Sequence, residues 1–408
     1  MTRIVTLGAA FSANKGAASM LQALLDNLPG IIGECRFDVL TTYPKEDLGE
    51  APPGVEVVSC TPLGLAVFHF PLSLAAAMGA RLGVPREWFC RTRALKAIRR
   101  ADVVLDVAGI SFVDGRGIAT LGYNVLMTST PLLLGRPVVK VAQALGPFES
   151  PLNRFFASRI LPRLKAICGR GRATEIHLSM LDLDNVHSTA DLAFSMQPSE
   201  AAIQRAEREH GNTAGVRVAV IPSAVVQKYA KRKGIAFDTE LIRFIDVLCD
   251  ERGFEVILIP HAIRPDAKAS HMNDLPLCRR IHSALKSTTR CRLVEESLPA
   301  GELRALIDLC DVVVTARFHA MVSALATATP LLVIGWSHKY AEVLEPFGLK
   351  EQTMDYADLS ADELLQAFDA TLLNAPRIRS AIAAALPAVQ SKSRENYKAI
   401  AAALGETG

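Results

Sequence analysis

The chain runs to 408 residues, half of them apolar and 21% charged, with 45 basic and 42 acidic side chains for a net charge of +3. That length exceeds one compact core, since domains usually hold roughly 100–200 residues. The balance excludes a disordered or fibrous chain and any binding of nucleic acid by bulk charge, while a mean hydropathy of +0.23 demands buried strands or an apolar surface.

In chain order, β-branched apolar runs predict strands at 4–7, 37–41, 55–59, 103–106 and 138–142. A second series follows at 216–221, 254–259, 291–294, 312–315 and 331–334. Most runs are continuous rather than alternating, as in strands covered on both faces of a parallel sheet. Helical patterns separate them at 17–28, 153–163, 239–250, 301–309 and 359–373. The alternation predicts an α/β protein of two Rossmann-like, doubly wound domains facing a cleft. The turn-rich stretch 197–215 sets the boundary. It divides an N-terminal acceptor-side domain (1–197) from a C-terminal anion and donor domain (198–375), with closing helices over 376–408 interrupted at Pro387.

The apolar stretch 63–80 is broken by His69, Pro71 and Ser73, short of the roughly 20 apolar residues a spanning helix needs. It reads as a buried segment, with a peripheral contact at the inner face of a membrane as the alternative. Eight scattered cysteines without a close pair, and no secretory leader, predict a reducing, cytoplasmic setting. No histidine or cysteine cluster has zinc spacing, so no metal is expected.

Four segments carry candidate chemistry. The first loop, Gly8-Ala9-Ala10-Phe11-Ser12-Ala13-Asn14-Lys15-Gly16, joins a strand to a helix and suits an anion, though it matches neither the Walker nor the dinucleotide motif. The second, Asp106 to Asp114 with Gly109 and Ser111, allows a close backbone approach; its carboxylates read as bases, hydroxyl binders or caps. The third is a basic stretch, Arg154, Arg159, Arg163, Lys165, Arg170 and Arg172, mostly a solvated helix face. Arg170 and Arg172 stand apart because they follow the strand-like Ala166-Ile167-Cys168. The fourth is the most specific: Arg317 and His319 follow a buried strand and open a small-residue helix, and His338 and Lys339 follow the next strand. Such strand ends can hold an anion and deliver a proton.

With Gln143-Ala144-Leu145-Gly146-Pro147, Arg170-Gly171 leading through Thr174 to Ala190-Asp191-Leu192-Ala193-Phe194, Ala316-Arg317-Phe318-His319-Ala320 and Ser337-His338-Lys339-Tyr340, the chain resembles the polysaccharide pyruvyl transferase family. It departs from that pattern at Val107-Ala108-Gly109-Ile110-Ser111, where many relatives carry more glycine, and at Thr174, where serine is usual. The resemblance implies a fold like that of B-type glycosyltransferases. It also implies transfer of pyruvate from phosphoenolpyruvate onto two sugar hydroxyls, with no further cofactor. Carried over, Arg170, Lys339, His338 and Arg317 would grip the donor and His319 would be the acid or base. Asn14, Lys15, Gly16, Asp106, Ser111 and Asp114 remain loop or acceptor candidates. The implied partners are phosphoenolpyruvate and a sugar acceptor, in one reading lipid-linked. The alternative is a nucleotide-sugar glycosyltransferase using Glu342 or Glu345 for the ribose; a third is an anion- or sugar-binding module without turnover.

Overall fold

Two parallel sheets organise the chain, each strand pairing with a neighbour of the same direction. The computed structural model describes residues 1–211, 215–264, 272–335 and 338–405, with only the backbone of His338 and Lys339. The chain divides into two compact units. One comprises Met1–Phe11, Ala17–Met196 and Gln390–Gly408, the other Ser12–Gly16 and Gln197–Val389.

The first unit holds β1 (Thr2–Leu7), β2 (Cys35–Thr41), β3 (Glu56–Ser59), β4 (Val103–Asp106), β5 (Val138–Gln143), β6 (Ala166–Arg170) and β7 (Val186–Thr189). Their spatial order is β3-β2-β1-β4-β5-β6-β7. The second holds β8 (Arg217–Ile221), β9 (Glu255–Leu258), β10 (Cys291–Leu293), β11 (Val312–Thr315), β12 (Leu331–Gly335) and β13 (Thr353–Asp355), in the order β10-β9-β8-β11-β12-β13. This is the doubly wound α/β class that the sequence predicts. In each sheet the order reverses beside its first strand, and ligands in such folds bind outside the carboxyl ends at that reversal.

Helices seal both faces. In the first unit Val5, Leu7, Val104 and Ile167 pack with Leu95, Ile98, Met127 and Ala157. In the second, Val218, Val220, Val312 and Leu332 pack with Phe237, Leu241, Phe244 and Phe368, the last two rings edge to face at 5.6 Å. Seven of the eight cysteines are buried, and none is disulfide-bonded.

Two expectations fail. The helix Ala375–Gly405 runs unbroken through Pro387. A proline removes one ladder donor, and here buried Ile378 and Ile382 before it and Tyr397 and Ile400 after it hold the flanking turns. The stretch around 63–80 is likewise not broken: residues Pro62–Arg81 form 20 continuous helical residues, long and apolar enough by length and composition to cross a bilayer. Pro71 falls in the first turn of Phe70–Arg81, directly after a π-turn (Leu65–His69) that opens the hydrogen-bond ladder. His69 and Ser73 turn inward, Ser73 Oγ donating to the His69 carbonyl at 2.7 Å.

Within β5 the register shifts between Lys140 and Gln143, and Ala142 takes a φ of +47°. The bulge is held from the far end of the sequence: Asn396 Oδ1 accepts from Ala142 N at 2.9 Å, and Asn396 Nδ2 donates to the Ala190 carbonyl at 3.1 Å. Replacing Asn396 with alanine strands a buried amide. Asn396→Ala is expected to lower stability by about 1–3 kcal/mol, read as a lower urea midpoint; an unchanged midpoint would show that the last helix does not hold the bulge.

Candidate active site

In the second unit the site is built from strand ends. Arg317 leaves β11 in an extended conformation and caps the helix Phe318–Ala326, with its amide donating to Thr315 Oγ1 at 3.0 Å. Its guanidinium ion-pairs with Asp274, which is fully buried. Asp274 also accepts from Ala224 N and Ala262 N, each at 2.9 Å, so one carboxylate ties together the loops after β8, β9 and β11. Arg317 Nε is buried with no hydrogen-bond partner among the described residues.

His319 lies in the first turn of that helix, half-buried, with its ring 5.1 Å from Phe318. Gly16 sits against it, and a Cβ there would fall inside the imidazole. Glycine is required at this position by space alone. Lys15, 1% exposed, is fully buried beside it in sequence. Asn14 is exposed and acts locally, Oδ1 accepting from Gly16 N at 3.1 Å at the start of the helix Lys15–Asn27. His261, buried after β9, completes the cluster. Burial first, then the charges of His319, Arg317 and Lys15, hold its pKa well below 6.5, so it stays neutral. His338 opens the helix His338–Leu344 and Lys339 follows it; the side chains of both, and Trp336 and Ser337, lie outside the described residues.

The first unit offers a different arrangement. Asp106, at the end of β4, is fully buried and pairs with Lys140 Nζ at 2.5 Å. Lys140 also donates to Ser111 Oγ at 3.1 Å, and Gln143 Nε2 donates to Asp106 Oδ1 at 2.7 Å. Positions three apart on a regular strand face opposite sides; the β5 bulge lets both Lys140 and Gln143 reach Asp106. Ser111, buried, bonds Gln143 Oε1. Asp106 and Ser111 thus fix the loop after β4, and Asp114 accepts from Glu149 N at 2.8 Å and Ser150 N at 3.0 Å, just ahead of the helix Pro151–Ile160. Arg170 ends β6, is 8% exposed, and ion-pairs with Asp191, whose Oδ1 accepts from Ala193 N at 2.9 Å. The second guanidinium nitrogen of Arg170 lies 3.8 Å from where a Gly109 Cβ would be.

The second unit therefore brings Lys15, Gly16, Arg317 and His319 together, and Arg170 belongs to the first. Sequence reasoning passed over His261, Asp274, Lys140 and the pairing of Asp191 with Arg170. His261 was within its reach, because it lies two residues beyond the predicted strand 254–259.

The family model for polysaccharide pyruvyl transferase matches residues 14–338. Among solved structures the chain is similar to UDP-GlcNAc 2-epimerase from Neisseria meningitidis bound to UDP-GlcNAc, with 11% identity and a TM-score of 0.58 over 98% of this chain and 99% of that one. It is similar to UDP-GlcNAc 2-epimerase from Methanocaldococcus jannaschii, with 12% identity and a TM-score of 0.55 over 91% and 93%. The α,α-trehalose 6-phosphate synthase of Burkholderia multivorans matches at 12% identity and a TM-score of 0.53 over 99% and 98%. At such identities the likeness is one of fold, that of B-type glycosyltransferases.

Two outcomes follow from the buried charges. Lys140→Met leaves the Asp106 carboxylate buried and unpaired, and is expected to cost about 3–5 kcal/mol. Adding Asp106→Asn should restore most of that loss in urea unfolding; no recovery would show that the ion pair is not what Lys140 supplies. His261 takes up its proton more readily unfolded than folded, so its contribution is complete above about pH 6.5 and is lost as pH falls below it. Burial lowers the pKa of His69 and His210 in the same direction. His261→Gln should therefore flatten, without abolishing, the fall in urea midpoint between about pH 7 and about pH 5.

Proposed function

The chain belongs to the polysaccharide pyruvyl transferase family, and on that premise we propose that it moves pyruvate from phosphoenolpyruvate onto two hydroxyls of one sugar, closing a cyclic ketal. The acceptor is a polysaccharide or its lipid-linked precursor, and the donor is the only co-substrate. The observation that carries this reading is the cluster of Lys15, Arg317 and His319 at the start of a helix, with Asp274 fixing the guanidinium. A small anion bearing both phosphate and carboxylate is matched by fixed cations at the positive end of a helix.

In this mechanism Arg317 and Lys15 bind the donor, with His338 and Lys339 of the same unit as further donor-binding residues. His319 gives a proton to the methylene carbon, which becomes the methyl group. The adjacent carbon then carries positive charge as an oxocarbenium-like centre. One sugar hydroxyl adds and loses its proton, phosphate departs with its bonding electrons, and the second hydroxyl adds with loss of its proton. Ketal and inorganic phosphate result. Neutral His261 beside His319 adds no charge that would repel the proton donor, and Gly16 leaves room for the imidazole to meet substrate.

The test is phosphate release from phosphoenolpyruvate with a glycan acceptor. His319→Gln is expected to lower kcat by about 10²–10⁴-fold, the usual contribution of a positioned acid or base, while phosphoenolpyruvate still raises the melting temperature. Full activity in that variant would remove His319 from the mechanism. Stabilisation by nucleotide sugars and not by phosphoenolpyruvate would favour the glycosyltransferase reading instead.

A further inference from the structure

The helical segment Pro62–Arg81 of the first unit is apolar on both faces. Its inner face, through Leu65 and Ala76, packs into the core. Its outer face is open: Leu63 is 73% exposed, Phe68 58%, Met78 61% and Leu82 83%, with Val67 and Leu74 between them. Only 28% of its apolar window is buried. Trp88, 71% exposed, stands on the short helical turn that follows. A core helix would not leave this face uncovered, and contiguous exposed apolar surface marks an interaction site.

Charge decides the partner. Arg81, at the end of the helix, Arg86, beside Trp88, and Arg163 line one surface pocket of about 360 Å³ with Ala77, Ala80 and Leu132. None of the three has a carboxylate within ion-pair distance among the described residues, and Arg86 Nε is buried there without a hydrogen-bond partner. Residues 62–93 and 151–165 together hold eight lysines and arginines. Their single carboxylate, Glu87, is already engaged by Arg99 at 2.6 Å. The basic stretch and the apolar stretch thus meet at one pocket. On the helix Pro151–Ile160, exposed Phe155 lies 3.8 Å beneath the Arg159 guanidinium, repeating the pairing of apolar and cationic groups.

We propose that the first unit docks on the surface of an anionic bilayer, with the outer face of the 62–82 segment at the acyl boundary and Arg81, Arg86 and Arg163 gripping a lipid phosphate. The helix lies on the membrane rather than across it, because its inner face is part of the folded core. Apolar insertion and attraction of arginine to anionic lipid reinforce one another in such contacts. A second copy of the chain is a poorer partner, since a two-fold contact through this face would set arginine against arginine.

The experiment is co-sedimentation of the full chain with vesicles of phosphatidylcholine alone and of equal parts phosphatidylcholine and phosphatidylglycerol, without any substrate. It stands or falls independently of the transfer reaction. Binding is expected to the mixed vesicles, weakening with salt. Arg81→Gln, Arg86→Gln and Arg163→Gln combined should weaken it on the order of 100-fold. Leu74→Ser with Met78→Ser should weaken binding to both vesicle types; all five positions lie at the surface, and unchanged circular dichroism verifies folding. Failure of the wild type to sediment with mixed vesicles overturns the proposal. So does equal binding by the arginine variant. Stabilisation by inorganic phosphate that depends on the three arginines, without vesicle binding, reassigns the pocket to a free anion. A dimer in light scattering that Leu74→Ser dissociates, without vesicle binding, reassigns the face to self-association.

Discussion

A parallel sheet covered by helices on both faces leaves charged and polar groups one favourable place to converge, the carboxyl ends of its strands. The candidate site residues follow that constraint. Asp106 ends β4, Arg170 ends β6, and Arg317 follows β11. The loop that leads into the helix at Lys15 follows β1, and His261 follows β9. The sheets supply rigidity and the loops supply variation, so a shared fold with epimerases and a trehalose 6-phosphate synthase carries no shared substrate.

A second regularity is that three cations on or beside these strands each have a carboxylate of their own: Lys140 with Asp106, Arg170 with Asp191, Arg317 with Asp274. A buried ion pair adds little stability relative to an apolar packing of the same volume, but it fixes geometry. Asp274 shows the use. It accepts from two backbone amides as well as from Arg317, so the guanidinium is held in one orientation. Lys140 serves a different end, saturated by Asp106 and Ser111 and turned to holding a loop.

What could be read from the sequence follows from how local its cause is. Strands such as β4 and β11 were legible to the residue, because continuous β-branched runs depend on burial alone. β7 and β13 were not, because Val-His-Ser-Thr and Thr-Met-Asp are short, polar edge strands whose pairing comes from the neighbour they complete. Arg317 and His319 were visible as charges at a strand–helix junction. Asp274 was invisible, since its meaning lies in amides 12 and 50 residues away. Asp106 was visible, but its partner Lys140 arrives through a bulge with no sequence mark. Pro71 and Pro387 misled for one reason: a proline predicts a break only where neighbouring turns lack support of their own.

The return of residues 390–408 to the first unit has a temporal meaning. Synthesis proceeds from the N-terminus, and domains generally fold as they emerge. The seven strands of the first sheet are all made by Thr189, yet the Ala142 amide, the Ala190 carbonyl and the Ser195 hydroxyl wait for Asn396 and Tyr397. The unit that is translated first is therefore sealed last, after the chain of the second unit has left the ribosome. An interrupted translation product would expose these orphaned groups, giving proteases and chaperones a ready means of telling it from the finished chain.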